Sequence, residues 1–370
     1  MVIDPITIKS GQGDYVVEFC DGISDVVKAL SGMKNLHFVV DRRVDGLHAP
    51  ALAPLKALGP WLLLDADEDE KTLEGVGRVA AWLQSVNATR QAVVVAIGGG
   101  IIQDIASFTT HIYYRGIHWV FVPTTLLSMS DSCIGAKCCL NHAGFKNQLG
   151  VFWAAQRVLL TPEFLGTLAD SEIASGYGEI LKLMLTSSMD AFRNLRETIS
   201  KDGLRNDSIL RLLHESLRVK QGVIEIDEYE KDLRRILNYG HTFGHALEKI
   251  TDHGIPHGQA VAWGLDLVNF IAVKRGWLRR ERFEEIHAFV QAWLPCGPLA
   301  GILADDLVAA ARRDKKVADG HLVLSVLHDE GGLQMVKVPF DARLEGEIRA
   351  FLAFWRGEAS LAASLLLEHA

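Results

Sequence analysis

Apolar residues come in two textures along this chain. Through the first 160 positions they form short dense runs: Leu36–Asp41 (LHFVVD), Trp61–Leu64, Ala92–Ile97 (AVVVAI) and Trp119–Val122 (WVFV). An acid, a glycine or a proline closes each run, which is how buried strands are punctuated. Between them, Glu68–Ser85 and Asp104–Tyr114 repeat apolar residues at helical spacing. Wholly apolar strands alternating with helices predict a parallel sheet covered on both faces.

Beyond about residue 162 the texture changes. Long amphipathic stretches follow one another: Ser171–Ser187, Met189–Ile199, Ile209–Ile224, Asp232–Ile250, Gln259–Lys274 and Arg280–Trp293. Strand-like runs are few, mainly His321–Val326 and Gln334–Val338. The pattern predicts an α/β nucleotide-binding domain over 1–165 and an essentially all-α, metal- and substrate-binding domain over 166–370. Ligands of such proteins usually sit in the cleft between halves. There is no internal repeat.

Composition narrows the function. The 370 residues are 49% apolar and 23% charged, with a net charge of -8. That argues against nucleic acid as a partner, since binding a phosphate backbone needs a basic excess. An anionic ligand must then be held by a local cluster of Lys and Arg. Cys20, Cys133, Cys138, Cys139 and Cys296 are odd in number and irregular in spacing, so no disulfide framework is expected. Adjacent Cys138 and Cys139 read as small residues filling a turn, because no C-x-x-C accompanies them. There is no leader-like N-terminus and no apolar run long enough for a membrane helix, so a soluble, cytoplasmic protein is expected.

The first candidate chemistry is Gly98-Gly99-Gly100-Ile101-Ile102-Gln103-Asp104, which follows a strand and opens a helix. Glycines there let backbone approach a diphosphate, and the helix N-terminus supplies N–H donors. The spacing is not G-x-G-x-x-G, and a tight structural turn explains it equally well. Asp41 at a strand end, where an acid commonly bonds ribose hydroxyls, and Pro123-Thr124-Thr125 at another strand end favour a nucleotide.

The second is Asn238-Tyr239-Gly240-His241-Thr242-Phe243-Gly244-His245. His241 and His245 stand at i and i+4, on one helix face. His257, at a predicted helix start, can complete a metal site, and Glu179 and Lys182 are i and i+3 on one helix. A Glu/His/His set leaves a coordination position open for a substrate oxygen. Fourteen histidines will also place a pair at this spacing by chance. A polar run, Asp131 to Lys137 followed by Asn141, Lys146 and Asn147, reads as a loop able to cradle phosphate, or as a solvated loop. Lys220, Glu230 and Arg234 precede the histidines; Arg234 can clamp a carboxylate or pair with Glu230.

In this order the motifs GGGIIQD, YYRG, PTTLL, DSCIGAK, NHAGFKN, GEILK, LRRILNYGHTFGHALE, PHG and DKK resemble 3-dehydroquinate synthase and the wider sugar phosphate cyclase family, from about Asp41 to Lys316. The resemblance implies a dehydroquinate synthase-like fold binding NAD and zinc, with cobalt or iron able to use the same ligands. It implies that Glu179, His241 and His257 bind the metal. Asp41, Glu70, Lys71, Gly99, Gly100, Asp104, Thr124, Thr125 and Leu127 would contact NAD, with Lys146, Thr167 and Glu172. Asp131, Lys137, Asn147, Lys182, Lys220, Arg234, Asn238, His245 and one of Lys315 and Lys316 would surround a sugar phosphate. Arg115 would reach a neighbouring subunit's phosphate site in a homodimer. The implied reaction is redox-neutral: transient oxidation by NAD, loss of phosphate, reduction, ring opening and aldol closure.

Several positions depart from that family's pattern. Gln103 replaces a glycine; Ala136, Cys138 and Cys139 replace Gly, Thr and Gly around Lys137; Ala155 replaces a proline. Ala169-Asp170-Ser171-Glu172 replaces Pro-x-Arg-Glu, and Tyr177-Gly178 replaces Met-Ala. None removes a proposed ligand. Arg234, Asn238, Lys220 and His245 together favour a substrate carrying a carboxylate, a 3-deoxy-arabino-heptulosonate 7-phosphate or its amino analogue, in shikimate or specialised metabolism. The rivals are a cyclase of sedoheptulose 7-phosphate or glucose 6-phosphate, a metal-dependent polyol dehydrogenase, and a non-catalytic ligand-binding relative.

Overall fold

The computed structural model describes residues 3–252, 254–296, 299, 301–312, 317–318 and 320–366. Its contacts divide the chain into two compact units, Met1–Gly176 with Asp207–Tyr229, and Tyr177–Asn206 with Glu230–Ala370. The segment 207–229, which the sequence groups with the helical half, clusters with the first unit. No described helix is long and apolar enough to cross a membrane.

The first unit is built on a seven-stranded sheet. Its strands are β1 (Ile6–Ile8), β2 (Tyr15–Phe19), β3 (Leu36–Asp41), β4 (Trp61–Leu64), β5 (Val93–Gly98), β6 (His118–Pro123) and β9 (Arg157–Leu160), in the order β1-β2-β9-β6-β5-β3-β4. All pairings are parallel except β1 with β2. Burial explains the sequence texture: Val94 to Ile97 and Phe38 to Val40 are fully enclosed, so neither face needs polar alternation. A hairpin of β7 (Lys137–His142) and β8 (Phe145–Phe152) is separate from this sheet.

The second unit is mainly helical, with a three-stranded antiparallel sheet of β10 (Val317–Ala318), β11 (His321–His328) and β12 (Gly332–Pro339). Its central helix, His257–Lys274, is buried on all sides, with every residue from Gly258 to Ala272 enclosed.

Three local expectations need correcting. Asp232–Ile250 is not one helix: a 3-10 segment, Leu233–Asn238, ends before Gly240, and the α-helix begins at His241. Gly240 lies at φ 78°, and a Cβ there would meet the backbone of Val261 and Leu265, so only glycine allows this close approach. Glu68–Ser85 also breaks, into a short 3-10 turn and the helix Leu73–Ser85. The polar run after Asp131 is not a loop but a π-helical turn (Ser128–Ser132) followed by the β7–β8 hairpin, and Cys138 and Cys139 lie on β7 rather than in a turn. Ala136, where the family pattern has glycine, sits at φ 61°, a left-handed conformation that costs an alanine about 1–2 kcal/mol.

All five cysteines are free thiols. Burial pushes Cys20 up to about 11 and Cys133 and Cys296 up to about 12, and raises Cys138 well above the usual thiol range. These four therefore stay protonated at pH 8, and the thiolate is the reactive form. Alkylation of the native protein at pH 8, mapped by mass spectrometry, is expected to modify half-buried Cys139 first and the other four only after unfolding. Equal labelling of all five would contradict this packing.

Candidate active site

The first unit brings several of the nucleotide candidates to one edge. Register places Val40 beside Ile97, Ile97 beside Val122, and Gly98 beside Pro123, so β3, β5 and β6 end at the same level. The chain leaves β3 for β4 on one side and returns to β5 on the other. The crevice between β3 and β5 is thus a topological switch point, where ligands of open α/β sheets bind. Asp41, Thr124, Thr125, Thr167 and Glu172 line one cavity there with His48.

Asp41 accepts the Arg43 N–H at 2.8 Å, and burial pushes its carboxyl up despite that bond. Thr125 and Ser128 share a hydroxyl hydrogen bond of 2.7 Å. Gly99 caps the helix Gly100–Ile112 in an extended conformation, leaving first-turn N–H groups at the strand ends. Glu172 closes its own helix start by accepting the Ala169 N–H at 3.1 Å. The sequence missed His48, whose Nε2 lies 2.9 Å from the Thr167 hydroxyl; no spacing signal marks it. Leu127 is half-buried just before the π-helical turn. Glu70 pairs closely with Arg78, and Lys146 stands 3.8 Å from Glu68.

Two buried charge clusters follow. The Lys71 ammonium lies 2.7 Å from Asp104 and donates to Asn147 Oδ1 at 2.8 Å, although the sequence had divided these residues between nucleotide and substrate. Burial raises the Asp104 carboxyl, yet the Lys71 contact and the Cys139 N–H at 3.1 Å both favour its ionised form, as does the raised Lys71 ammonium. Geometry of this kind supports an ion pair. Exposed Asn147 is held at φ 54° with its Nδ2 still able to donate. Lys220 reaches both the Asp131 carbonyl, at 2.6 Å, and its carboxylate, at 2.8 Å. Lys137 opens β7 from an exposed position.

The second unit assembles the metal candidates. Glu179 is 1% exposed, and its Oε1 lies 3.3 Å from His257 Nε2 and 3.7 Å from His241 Nε2. Its other oxygen is ion-paired with Lys182, one helical turn on. Neither carboxylate oxygen makes a well-formed hydrogen bond. Burial would raise this carboxyl, but Lys182 and His257 hold it well below the usual carboxylate range. Burial would also lower His257; the adjoining Glu179 and Glu248 carboxylates outweigh it and push the imidazole up to about 10.

The far side of each imidazole is fixed. His241 Nδ1 donates to the Tyr239 carbonyl at 3.2 Å, and His257 Nδ1 to Glu248 at 3.2 Å. Both Nε2 atoms are thereby turned toward Glu179, the arrangement that orients metal-binding histidines. Sequence reading passed over Glu248, although 241, 245 and 248 form one helical stripe. His245 is exposed and stacks on His257, and the ligand nitrogens of His241, His245 and His257 lie within 4.8 Å of one another. A buried carboxylate with one oxygen facing two oriented imidazole nitrogens fits a divalent ion.

The remaining candidates are more scattered. Arg234 is buried, and Asn238 donates to Glu230 at 2.8 Å. Arg115 is exposed at φ 67°, next to Tyr114 at φ 50°. Lys315 and Lys316 lie outside the described residues.

Comparison with known proteins identifies the family. The profiles "3-dehydroquinate synthase N-terminal" and "3-dehydroquinate synthase C-terminal" match residues 61–175 and 176–317. The 3-dehydroquinate synthase of Paracoccus denitrificans is 34% identical over 348 residues, 90% of this chain and 94% of that one. That of Streptococcus equi is 32% identical over 356 residues, 94% and 98% of the two chains. Among solved structures, the 2-epi-5-epi-valiolone synthase ValA of Streptomyces hygroscopicus, with NAD+ and Zn2+ bound, has a TM-score of 0.81 at 26% identity, covering 95% of this chain and 99% of that one. A 2-deoxy-scyllo-inosose synthase complexed with carbaglucose-6-phosphate, NAD+ and Co2+ also reaches 0.81, at 23% identity over 94% and 99%, a likeness of fold alone. With relatives this similar along nearly their whole length, the chain belongs to the 3-dehydroquinate synthase family.

Proposed function

We propose that the chain closes a carboxylate-bearing heptulosonate phosphate into a 3-dehydroquinate-type carbocycle with loss of phosphate. Membership of its family makes it a sugar phosphate cyclase, a carbon–oxygen lyase using NAD and a divalent metal. The observation that carries the reading is the Glu179, His241 and His257 cluster, with each histidine oriented from behind.

Glu179, His241 and His257 would hold the ion; Asp41, Gly99, Gly100, Thr124, Thr125, Thr167 and Glu172 would hold NAD, with Leu127, Glu70 and Lys146 at the margin. When bound, NAD supplies a reversible hydride acceptor and the ion a Lewis acid for a substrate oxygen. The chain's own residues bind and orient. Lys71, paired with Asp104, holds the Asn147 Oδ1, and Asn147 with Lys137 would serve the substrate phosphate. Arg234 and Asn238 take the carboxylate, for which a guanidinium fork is suited. Lys220 pairs with Asp131, which would meet a substrate hydroxyl, and Lys182 balances the charge of Glu179. Arg115, exposed at the tip of its turn, would complete the phosphate site of a second copy in a homodimer. The protein's contribution is orientation and charge stabilisation.

The test is direct. Purified protein given NAD, zinc and 3-deoxy-arabino-heptulosonate 7-phosphate is expected to release inorganic phosphate with no net change in NADH absorbance. No release, alongside turnover of sedoheptulose 7-phosphate or glucose 6-phosphate, would transfer the assignment to a neutral sugar. Steady NADH accumulation with an alcohol would make it a dehydrogenase.

A further inference from the structure

Gln103 stands one residue before Asp104 on the helix that opens at Gly100, where the family pattern has a glycine. It is 7% exposed, too buried for an amide side chain without partners. Both ends of the amide go to a single residue: Nε2 donates to the Ser132 carbonyl at 2.6 Å, and Oε1 accepts from the Ser132 hydroxyl at 2.6 Å. Ser132 ends the π-helical turn Ser128–Ser132, whose wide closure is visible in the Cys133 N–H to Ser128 carbonyl bond of 3.0 Å. Such turns are uncommon and persist where surrounding contacts hold them.

The preceding residue of that turn is Asp131, whose carbonyl and carboxylate are both engaged by Lys220. Two consecutive carbonyls are therefore pinned by different elements, that of Asp131 by Lys220 and that of Ser132 by Gln103. A glycine at 103 has no side chain to reach Ser132. It would release the C-terminal end of the turn and, with it, one constraint on the direction of the Asp131 carboxylate.

We propose that Gln103 is a positioning residue that fixes Asp131 and Lys220 for the sugar phosphate by clamping Ser132. The proposal rests on the cyclase reading above, in which Asp131 and Lys220 face substrate. Gln103 itself need not touch the substrate. Its effect belongs in substrate affinity and not in the affinity for NAD.

The experiment compares wild type with Gln103→Gly, Gln103→Met, Ser132→Ala and the Gln103→Met/Ser132→Ala double variant. Methionine keeps the length and volume but makes neither hydrogen bond. Losing the two bonds is expected to raise KM for the heptulosonate phosphate about tenfold in both Gln103 variants. kcat should change less, and NAD affinity, followed by tryptophan fluorescence, should stay within about twofold. The double variant should be no worse than Gln103→Met alone, since both lose the same clamp. A wild-type KM in Gln103→Met would reduce Gln103 to a packing residue, and additive losses would show that it does not act through Ser132. Either result overturns the positioning role while wild-type turnover stands. An inactive wild type would instead sink the cyclase reading and the role resting on it.

Discussion

Glu179→Gln is expected to lower kcat by about a thousandfold or more, because the bound ion is worth several kcal/mol of charge stabilisation. Glutamine has the shape of glutamate but contributes no charge to the ion. The same change removes the carboxylate charge paired with the buried Lys182 ammonium, and breaking a buried pair costs about 3–5 kcal/mol. Loss of activity in this variant could then reflect unfolding alone. Wild-type protein treated with a chelator separates the two, since it keeps every side chain. It should lose activity, keep its circular dichroism, and recover on addition of zinc or cobalt. Activity that survives exhaustive chelation would remove the metal from the account.

The second large effect falls on a residue with no side chain. Gly178 precedes Glu179, and an ideal Cβ there would overlap the backbone carbonyl of Gly258, the residue after His257. Two glycines thus bring into contact the two backbones that carry the proposed ligands Glu179 and His257. In an exposed helix, Gly→Ala stabilises by about 1 kcal/mol. Here the obstacle is backbone that cannot swing aside, and overpacking costs about 1–3 kcal/mol or more. The clash should win. Gly178→Ala is expected to lower the thermal midpoint and, by moving Glu179 away from His257, to weaken metal binding by about 10–100-fold, the range for disturbed ligand orientation. Chelator competition measures the second effect. Unchanged metal affinity would show that the glycine contact does not set the ligand spacing. The contact also accounts for Gly178, where the resemblance implies an alanine: in this chain the helix runs too close to Gly258 for a methyl group.

Much of this was legible in the order of residues. Runs such as AVVVAI have no polar alternation because both sheet faces are covered, so a parallel sheet follows from composition alone. The i,i+4 pairing of His241 with His245 and the i,i+3 pairing of Glu179 with Lys182 follow from helical geometry and needed no coordinates. The motif order carried the family. Boundaries were less legible where glycine conformation decided them, since Gly240 ends an apparently continuous helix by taking a positive φ against Val261.

What tertiary structure alone decided is which distant residues became partners. Lys71, Asp104 and Asn147 are separated by tens of residues along the chain, yet meet in one network, a Lys71–Asp104 ion pair to which Asn147 is hydrogen-bonded. Glu248 turns His257 and Gln103 clamps Ser132, neither pairing implied by spacing. The physical reason is that periodicity reports which face of an element is buried, a local property. Partner choice depends on how separate elements pack, and burial then demands that each enclosed polar group find whatever partner that packing supplies.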